Sequence, residues 1–303
     1  MRTQDIKLKI KQIIKGKMSK NKFTRDLATR IAYLHNSGRF LNLKNPKTWS
    51  EKLLWLNKYW QPELKSICAD KYAVRDFVKD KGFEYILIPL LGVWENADDI
   101  DFNILPKRFV LKCNHGCGWN IICEDKEKLD IEGSKNKLNR WMKIDLGEIT
   151  SEVHYHYIKP FIICEEFLPV QDYRDLKDFK IHCFNGIPEF IGVCYDRDIA
   201  SQSSKGAIFS TNWERLFYLK EDDVNEIIDV PKPEILDEML KIATSLSENI
   251  PYVRVDLYAI DKKIFFGELT FTPDGNILDR EYNLEVVKKM GDYITLPNKI
   301  IRK

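Results

Sequence analysis

The sequence predicts an α+β fold, and three observations carry that reading. Strand and helix signals are mixed along the chain, the second half holds two hairpin signals, and 303 residues with 44% hydrophobic content suffice for more than one core. The firmer hairpin is Phe179–Phe184 and Ile187–Tyr195 around Asn185-Gly186, whose two residues tolerate positive φ. The other is Tyr252–Ile260 with Ile264–Phe271.

The elements follow in order. Residues 1–30 hold ten Lys or Arg against Asp5 and Asp26, a local charge of +8 that leaves −6 on the remainder. Ile6, Ile10, Ile13 and Ile14 share a helical face among lysines; such an arm suits an anionic membrane surface or an acidic partner, and equally a solvated helix or one docked on its own domain. Residues 48–82 read as helical, with Lys71, Tyr72, Ala73, Val74, Phe77 and Val78 at three and four spacing and Gly82 as a stop. A strand is expected at Tyr85–Ile88, then a hairpin of Arg108–Cys113 and Trp119–Cys123 with Gly116 and Gly118 at its tip. Residues 124–158 read as mostly helical, Phe161–Cys164 as a strand running into Glu165 and Glu166, and Asp196–Asn212 as a polar loop. A helix from Pro233 to about Asn249 and another near Glu281–Met290 complete the series.

Composition narrows the function classes. No apolar run nears the roughly 18 residues of a membrane span; the longest, Tyr85–Trp94, contains Pro89. The first residues lack a secretory signal pattern, and seven cysteines without even spacing suit a reducing compartment, so the expected location is cytoplasmic, with the basic arm suiting the inner face of the membrane. Apart from that arm there is no basic stripe for nucleic acid.

The last hairpin holds the clearest chemistry. Val253, Val255, Leu257 and Ala259, then Phe265, Gly267, Leu269 and Phe271, form an apolar face, while Arg254, Asp256, Glu268 and Thr270 point the other way. A three-residue turn centred on Lys262 sets Asp256 opposite Glu268 and Arg254 opposite Thr270. Facing carboxylates call for a compensating divalent cation, Mg²⁺ above all, or for exposure to water. In FVLKCNHGCGWNIIC, Lys112 precedes glycines whose backbone N–H groups can approach phosphate, although a plain hairpin explains the same residues. Cys113, His115 and Cys117 lack the second cluster of a zinc site. Lys180 and His182 share a strand face, where a lysine needs an anion, a carboxylate such as Asp178 or Glu189, or solvent.

Taken together and in order, KNPKTWSEKLLWLNKY, ADKYAVRDFV, FVLKCNHGCGWNIIC, IICEEFL, DFKIHCFNG, VRVDLY and GELTFTPDG resemble the TupA-like branch of the ATP-grasp superfamily, associated with teichuronopeptide and capsular polysaccharide synthesis. The resemblance implies two α+β subdomains clasping ATP: a basic extension over 1–45, a reduced N-terminal domain over 46–105, a small subdomain over 106–165 and a large one over 166–303. It implies ATP held by Lys112, His115, Gly116, Gly118, Lys180 and a hinge of Glu165, Glu166, Phe167 and Leu168. Mg²⁺ would sit on Asp256 and Glu268, and Arg254 and Lys180 would act on the reacting phosphoryl and acyl groups. Thr270 stands where the wider superfamily usually has Asn; its hydroxyl can still ligate Mg²⁺ or bond a phosphate, so it counts with the metal residues, although the second metal position is less defined. The implied activity is a carboxylate–amine ligase joining an amino acid or amine to a carboxylate-bearing sugar or an amino sugar, with residues 1–30 as a contact for membrane or a glycosyltransferase. The rival readings are a glycosyltransferase of the same pathway, against which stands the incomplete D-x-D of Asp256–Tyr258, and an ATP-binding module without turnover.

Overall fold

A computed structural model describes residues 22–150, 152–170, 176–198, 203–220 and 230–302. The basic segment 1–21, with its four isoleucines, and Ser201 and Gln202 of the polar stretch lie outside the described residues. The chain divides into two compact units, one built from Met1–Ser66, Asp145–Tyr157 and Thr272–Lys303, the other from Ile67–Ile144 and Ile158–Phe271.

The first unit is helical. Its helix Trp49–Tyr59 opens on a capping box: Thr48 Oγ1 accepts the Glu51 N–H at 3.3 Å, and the Glu51 carboxylate accepts the Thr48 N–H at 3.1 Å. Trp49, Leu53, Leu54 and Leu56 are buried from it, with Trp49 meeting Tyr282 edge-on at 5.2 Å between ring centroids. The helix stops because Trp60 is already extended and Gln61 precedes Pro62, which disfavours the helical region. Past Ser66 the chain belongs to the second unit, and a second break falls there at Asp70, whose carboxylate accepts the N–H groups of Tyr72 (2.8 Å) and Ala73 (3.2 Å). The expected single run over 48–82 is therefore three helices, Trp49–Tyr59, Glu63–Ala69 and Val74–Asp80.

Lys65 is only 1% exposed, and burial pushes its ammonium down to about 7 against the pull of Glu152. Because the folded value lies below the ordinary 10.5, the unfolded chain binds the extra proton between the two, and stability rises with pH across that window. Buried thiols pull stability down as pH nears 9, so Lys65 is read as a difference: between pH 7 and pH 9 the urea midpoint is expected to change with a more positive slope in the wild type than in Lys65→Met.

The second unit contains two antiparallel sheets. The smaller is ordered β1 (Leu90–Trp94), β4 (Ile162–Glu166), β2 (Phe109–Cys113), β3 (Asn120–Cys123). The predicted β2–β3 hairpin is present, with Lys112 opposite Asn120. The strand expected at Tyr85–Ile88 is instead a 3₁₀ turn, Glu84–Ile86, and β1 starts only after Pro89. Proline has no N–H to give a ladder, and its carbonyl here accepts the Glu166 N–H at 3.0 Å. Phe109, Leu111, Cys113, Ile162 and Cys164 pack with Leu138 of helix Ile131–Trp141 into the core beneath this sheet.

The larger sheet is ordered β10 (Lys263–Thr270), β9 (Tyr252–Ile260), β5 (Asp178–Phe184), β6 (Ile187–Asp198), β7 (Ser203–Ser210), β8 (Arg215–Leu216). Helix Leu236–Leu246 packs on β5, β6 and β9 and buries Leu236, Met239, Ile242, Ala243 and Leu246. Asn185 and Gly186 take φ of 49° and 82° and close the β5–β6 hairpin, with Phe184 opposite Ile187. The stretch expected as a loop from Asp196 to Asn212 holds the end of β6 and all of β7. Pairing of buried Val193 with Ala207, and Ile191 with Phe209, carries the polar ends of both strands along, which local composition could not reveal.

The last hairpin differs from its predicted form in an informative way. Its turn has two residues, Asp261 and Lys262, both at positive φ, and Lys263 faces Ile260. A bulge at Gly267 then shifts the register, so that Glu268 still faces Asp256 and Thr270 still faces Arg254. On the turn side of the bulge the inward residues are Ile264 and Phe266, not Phe265 as alternation predicts. A Cβ at Gly267 would lie 2.9 Å from the Asp256 carbonyl oxygen. Gly267→Ala is expected to cost about 1–3 kcal/mol in urea unfolding, because backbone must move to admit the methyl group.

Candidate active site

The second unit brings most of the predicted site residues together. Three strands of the larger sheet place Lys180 of β5, Asp256 of β9 and Glu268 of β10 directly opposite one another in one row. The next row holds His182, Arg254 and Thr270. Asp256 is buried, and a buried carboxylate needs cations. Arg254 grips it with a fork, Nε to Oδ1 and Nη2 to Oδ2, both at 2.7 Å, while Lys180 Nζ donates to Oδ2 at 3.0 Å. Lys180 also donates to Asp178 Oδ2 at 2.6 Å, one of the carboxylates expected for it. Thr270 donates its hydroxyl to Glu268 Oε1 at 2.9 Å and accepts from Arg254 Nη2 at 3.2 Å.

The electrostatics follow from this packing. Burial pushes the Asp256 carboxyl up, but Arg254 and then Lys180 outweigh it and hold it below the usual carboxylate range. Burial likewise opposes ionisation of Glu268, and Lys71, followed by Arg254 and Lys180, turns the balance to a lowered value against repulsion from Asp256. Burial disfavours the Lys180 charge, yet Asp256 and Asp178 raise its value above that of an ordinary lysine despite Arg254. His182 is buried and held neutral by desolvation and by Arg254 and Lys180; its Nδ1 meets the Tyr252 hydroxyl at 2.9 Å.

The smaller sheet contributes a second ionic group. Lys112 Nζ donates to Glu165 Oε2 at 2.5 Å, and Arg75 Nη1 donates to Glu165 Oε1 at 3.2 Å. Glu165 thus lies within β4, 7% exposed, with its carboxylate held by two cations. Lys71 reaches from the β2–β3 loop to the first group: its Nζ donates to the Gly116 carbonyl at 2.6 Å and lies 3.8 Å from Glu268 Oε2. The segment carrying Lys71 is fixed by fully buried Asn114, which donates to Asp70 at 2.8 Å and whose backbone carbonyl accepts the Lys71 N–H at 3.2 Å.

A cavity of about 170 Å³ lies between these groups, lined by Lys71, Lys112, Lys180, Asp256 and Glu268 together with Gly118, Trp119, Glu165, Glu166, Leu168, Asp178 and Tyr258. Of the other predicted residues, His115 is buried beneath the loop, with Nδ1 3.2 Å from Asn114 Oδ1 and its ring against Trp119. Gly116 lets Trp119 lie flat over the loop, since a Cβ there would fall 2.0 Å from the indole. Phe167 carries the Arg108 guanidinium 3.8 Å above its ring. Arg254 and Thr270 stand behind the carboxylates and act on the cavity through them. Cys113 is buried, its thiol pushed up to about 12 by desolvation, the state of a core thiol rather than a metal ligand.

Sequence reasoning missed Lys71, Arg75 and Asn114 as site residues. Lys71 and Arg75 sit four apart in a stretch read for its apolar spacing and for the family resemblance, and nothing local marks them as facing a carboxylate on another strand.

The donor set fits a divalent cation. Asp256 and Glu268 are hard oxygen ligands on facing strand positions, and the Glu268 side chain is 38% exposed with acceptor sites beyond the Thr270 bond. Among the described residues no group of three or more His, Cys, Asp or Glu is placed to hold a metal.

A family model, TupA-like ATPgrasp, matches residues 51–295. The chain belongs to the TupA-like ATP-grasp family. Its fold is accordingly the ATP-grasp fold, an α+β arrangement with two antiparallel sheets. No curated protein matches the chain. Among solved structures it is similar to a D-alanine–D-alanine ligase from Bacillus anthracis at 14% identity and TM-score 0.44, over 75% of this chain and 63% of that one. It is also similar to a phosphoribosylamine–glycine ligase from Thermotoga maritima at 15% identity and TM-score 0.42, over 71% and 51% of the two chains. A third likeness is to the D-cycloserine synthetase DcsG, at 12% identity and TM-score 0.41, over 76% and 71%. At these scores the family match, not the structural likeness, assigns the fold. The chain spans less than two thirds of the length of the first two ligases.

The lowered values of Asp256 and Glu268 make a stability statement. Carboxyls held below their ordinary 3.8 and 4.5 contribute stability above those values and lose it as pH falls through the depressed ones. Unfolding midpoints measured at pH 5 and pH 3 are expected to drop further in the wild type than in Asp256→Asn, which lacks one of the two groups.

Proposed function

We propose that this protein is an ATP-dependent, ADP-forming carboxylate–amine ligase. The observation that supports it best is one cavity lined by three lysines, Lys71, Lys112 and Lys180, beside the facing carboxylates Asp256 and Glu268. Three ammonium groups suit a triphosphate, and two hard oxygen ligands next to them suit a phosphate-bound Mg²⁺. When bound, Mg²⁺ would neutralise charge on the phosphoryl oxygens.

The chain's own residues then have defined tasks. Lys112 and Lys180 are held in place by Glu165 and Asp256, so their charges are positioned before any phosphate arrives. Lys180 stays protonated through the physiological range because its value is raised. Arg254 fixes the orientation of Asp256, and Thr270 that of Glu268. A substrate carboxylate oxygen attacks the γ-phosphorus and ADP leaves; an amine nitrogen then attacks the acyl carbon, phosphate leaves and the amine loses its proton. No side chain forms a covalent bond, and positioning and electrostatics carry the rate. On the family resemblance, the substrates are an amino acid and a uronic acid or amino sugar of a surface polysaccharide, brought together in amide linkage.

Calorimetric titration of a non-hydrolysable ATP analogue is expected to show Mg²⁺-dependent binding that Asp256→Asn weakens. With ATP, Mg²⁺ and a matching amino acid and uronate or amino-sugar pair, ADP is expected to be released, with kcat at least about a hundredfold lower in Glu268→Gln. Analogue binding indifferent to Mg²⁺ and to Asp256→Asn, together with no ADP from any pair, would sink the reading.

A further inference from the structure

The helix Lys22–Ser37 of the first unit turns an apolar stripe outward. Leu27, Ile31 and Leu34 are 40%, 46% and 39% exposed, and their spacing of four and three residues sets them on one face. Tyr33, on the opposite side, is fully buried, so the helix is docked by one face and leaves the other bare. Phe40, just beyond its end, is 85% exposed. Scattered exposed apolar residues need no explanation, but three aligned on one helix face, with a fourth soon after them in the chain, do.

The charge around this stripe has one sign. Arg30 is exposed on its flank. The one carboxylate of the helix, Asp26, is neutralised by Arg30 Nε at 2.9 Å and by Lys58. Leading directly into the helix, residues 1–21 carry seven Lys or Arg against Asp5 alone, a charge of +6, with Ile6, Ile10, Ile13 and Ile14 at helical spacing. An apolar stripe by itself suits many partners; continuity with 21 strongly basic residues selects a negative surface that also accepts apolar side chains.

We propose that this face docks the protein peripherally on an anionic lipid bilayer. Among the described residues no helix is long and apolar enough to cross a membrane, so attachment lies at the surface. Basic residues supply attraction that salt screens, and Leu27, Ile31, Leu34 and Phe40 supply apolar insertion that salt does not. The inference is independent of the ligase reading, since none of these residues belongs to the nucleotide cavity.

The test is sedimentation of the full chain with vesicles of phosphatidylcholine alone or with about 30 mol% phosphatidylglycerol. Binding is expected only to the anionic vesicles and is expected to weaken, without vanishing, in high salt. The triple variant Leu27→Ser/Ile31→Ser/Leu34→Ser is expected to lower the partition coefficient at least tenfold, by roughly the transfer free energy of three partly inserted side chains, with far-UV circular dichroism like that of wild type at the assay temperature. Should that variant fail to fold, Phe40→Ser, at a site outside the helix, is expected to lower partitioning about threefold. Equal binding to both vesicle types, no binding to either, or substituted chains that bind like wild type would overturn the proposal. A triple variant that changes oligomeric state while wild type ignores vesicles would assign the stripe to a protein partner instead.

Discussion

A carboxylate buried inside a sheet destabilises the fold unless cations reach both of its oxygens, and Asp256 meets that demand with a forked Arg254 and with Lys180 from the neighbouring strand. This one cluster orders much else. It keeps Lys180 charged, draws in Asp178, and leaves Glu268, one strand further out, as the carboxylate with oxygen sites to spare. Without Arg254 the row Lys180–Asp256–Glu268 would hold two acids against one cation; with it the charges balance, and the geometry can be rigid before any ligand arrives.

The smaller sheet repeats the solution at a second point. Glu165 sits between Lys112 and Arg75 much as Asp256 sits between Lys180 and Arg254, an acid in a strand flanked by one lysine that lines the cavity and one arginine behind it. The pattern has a physical logic. Arginine, always charged and able to donate through several N–H groups, neutralises the buried acid, while the more mobile lysine shares its ammonium between that acid and the cavity. Lys71, between the Gly116 carbonyl and Glu268, ties the β2–β3 loop to the carboxylate with oxygen sites to spare.

Backbone irregularities place these charges. The bulge at Gly267 reverses which residues of β10 face inward, burying Phe266 on one side of it and Leu269 on the other, and presents Glu268 opposite Asp256. Pro89 delays β1 so that it pairs with the end of β4 that carries Glu165, with Leu90 opposite that residue. Asp70 and Asn114 halt a helix where Lys71 is needed. Each interrupts a regular element beside the site, where regular pairing alone would have sent a charged side chain elsewhere.

Much of this was legible in the residues. The two hairpins, the facing pairs Asp256–Glu268 and Arg254–Thr270 and the order of the motifs follow from alternation, turn chemistry and spacing, because those depend on neighbours along the chain. The pairing was reached by a three-residue turn where the molecule uses two residues and a bulge, two routes that end in the same register past Gly267. Polar strands such as the start of β7 stayed hidden because their partners, not their composition, make them strands. The sequence by itself determined the α+β class, the family and the carboxylate pair. Only the tertiary structure decided that Lys180 lies opposite Asp256, that Arg75 and Lys112 share Glu165, and that Lys71 reaches Glu268, because those contacts join residues far apart in the chain whose meeting depends on which strands become neighbours.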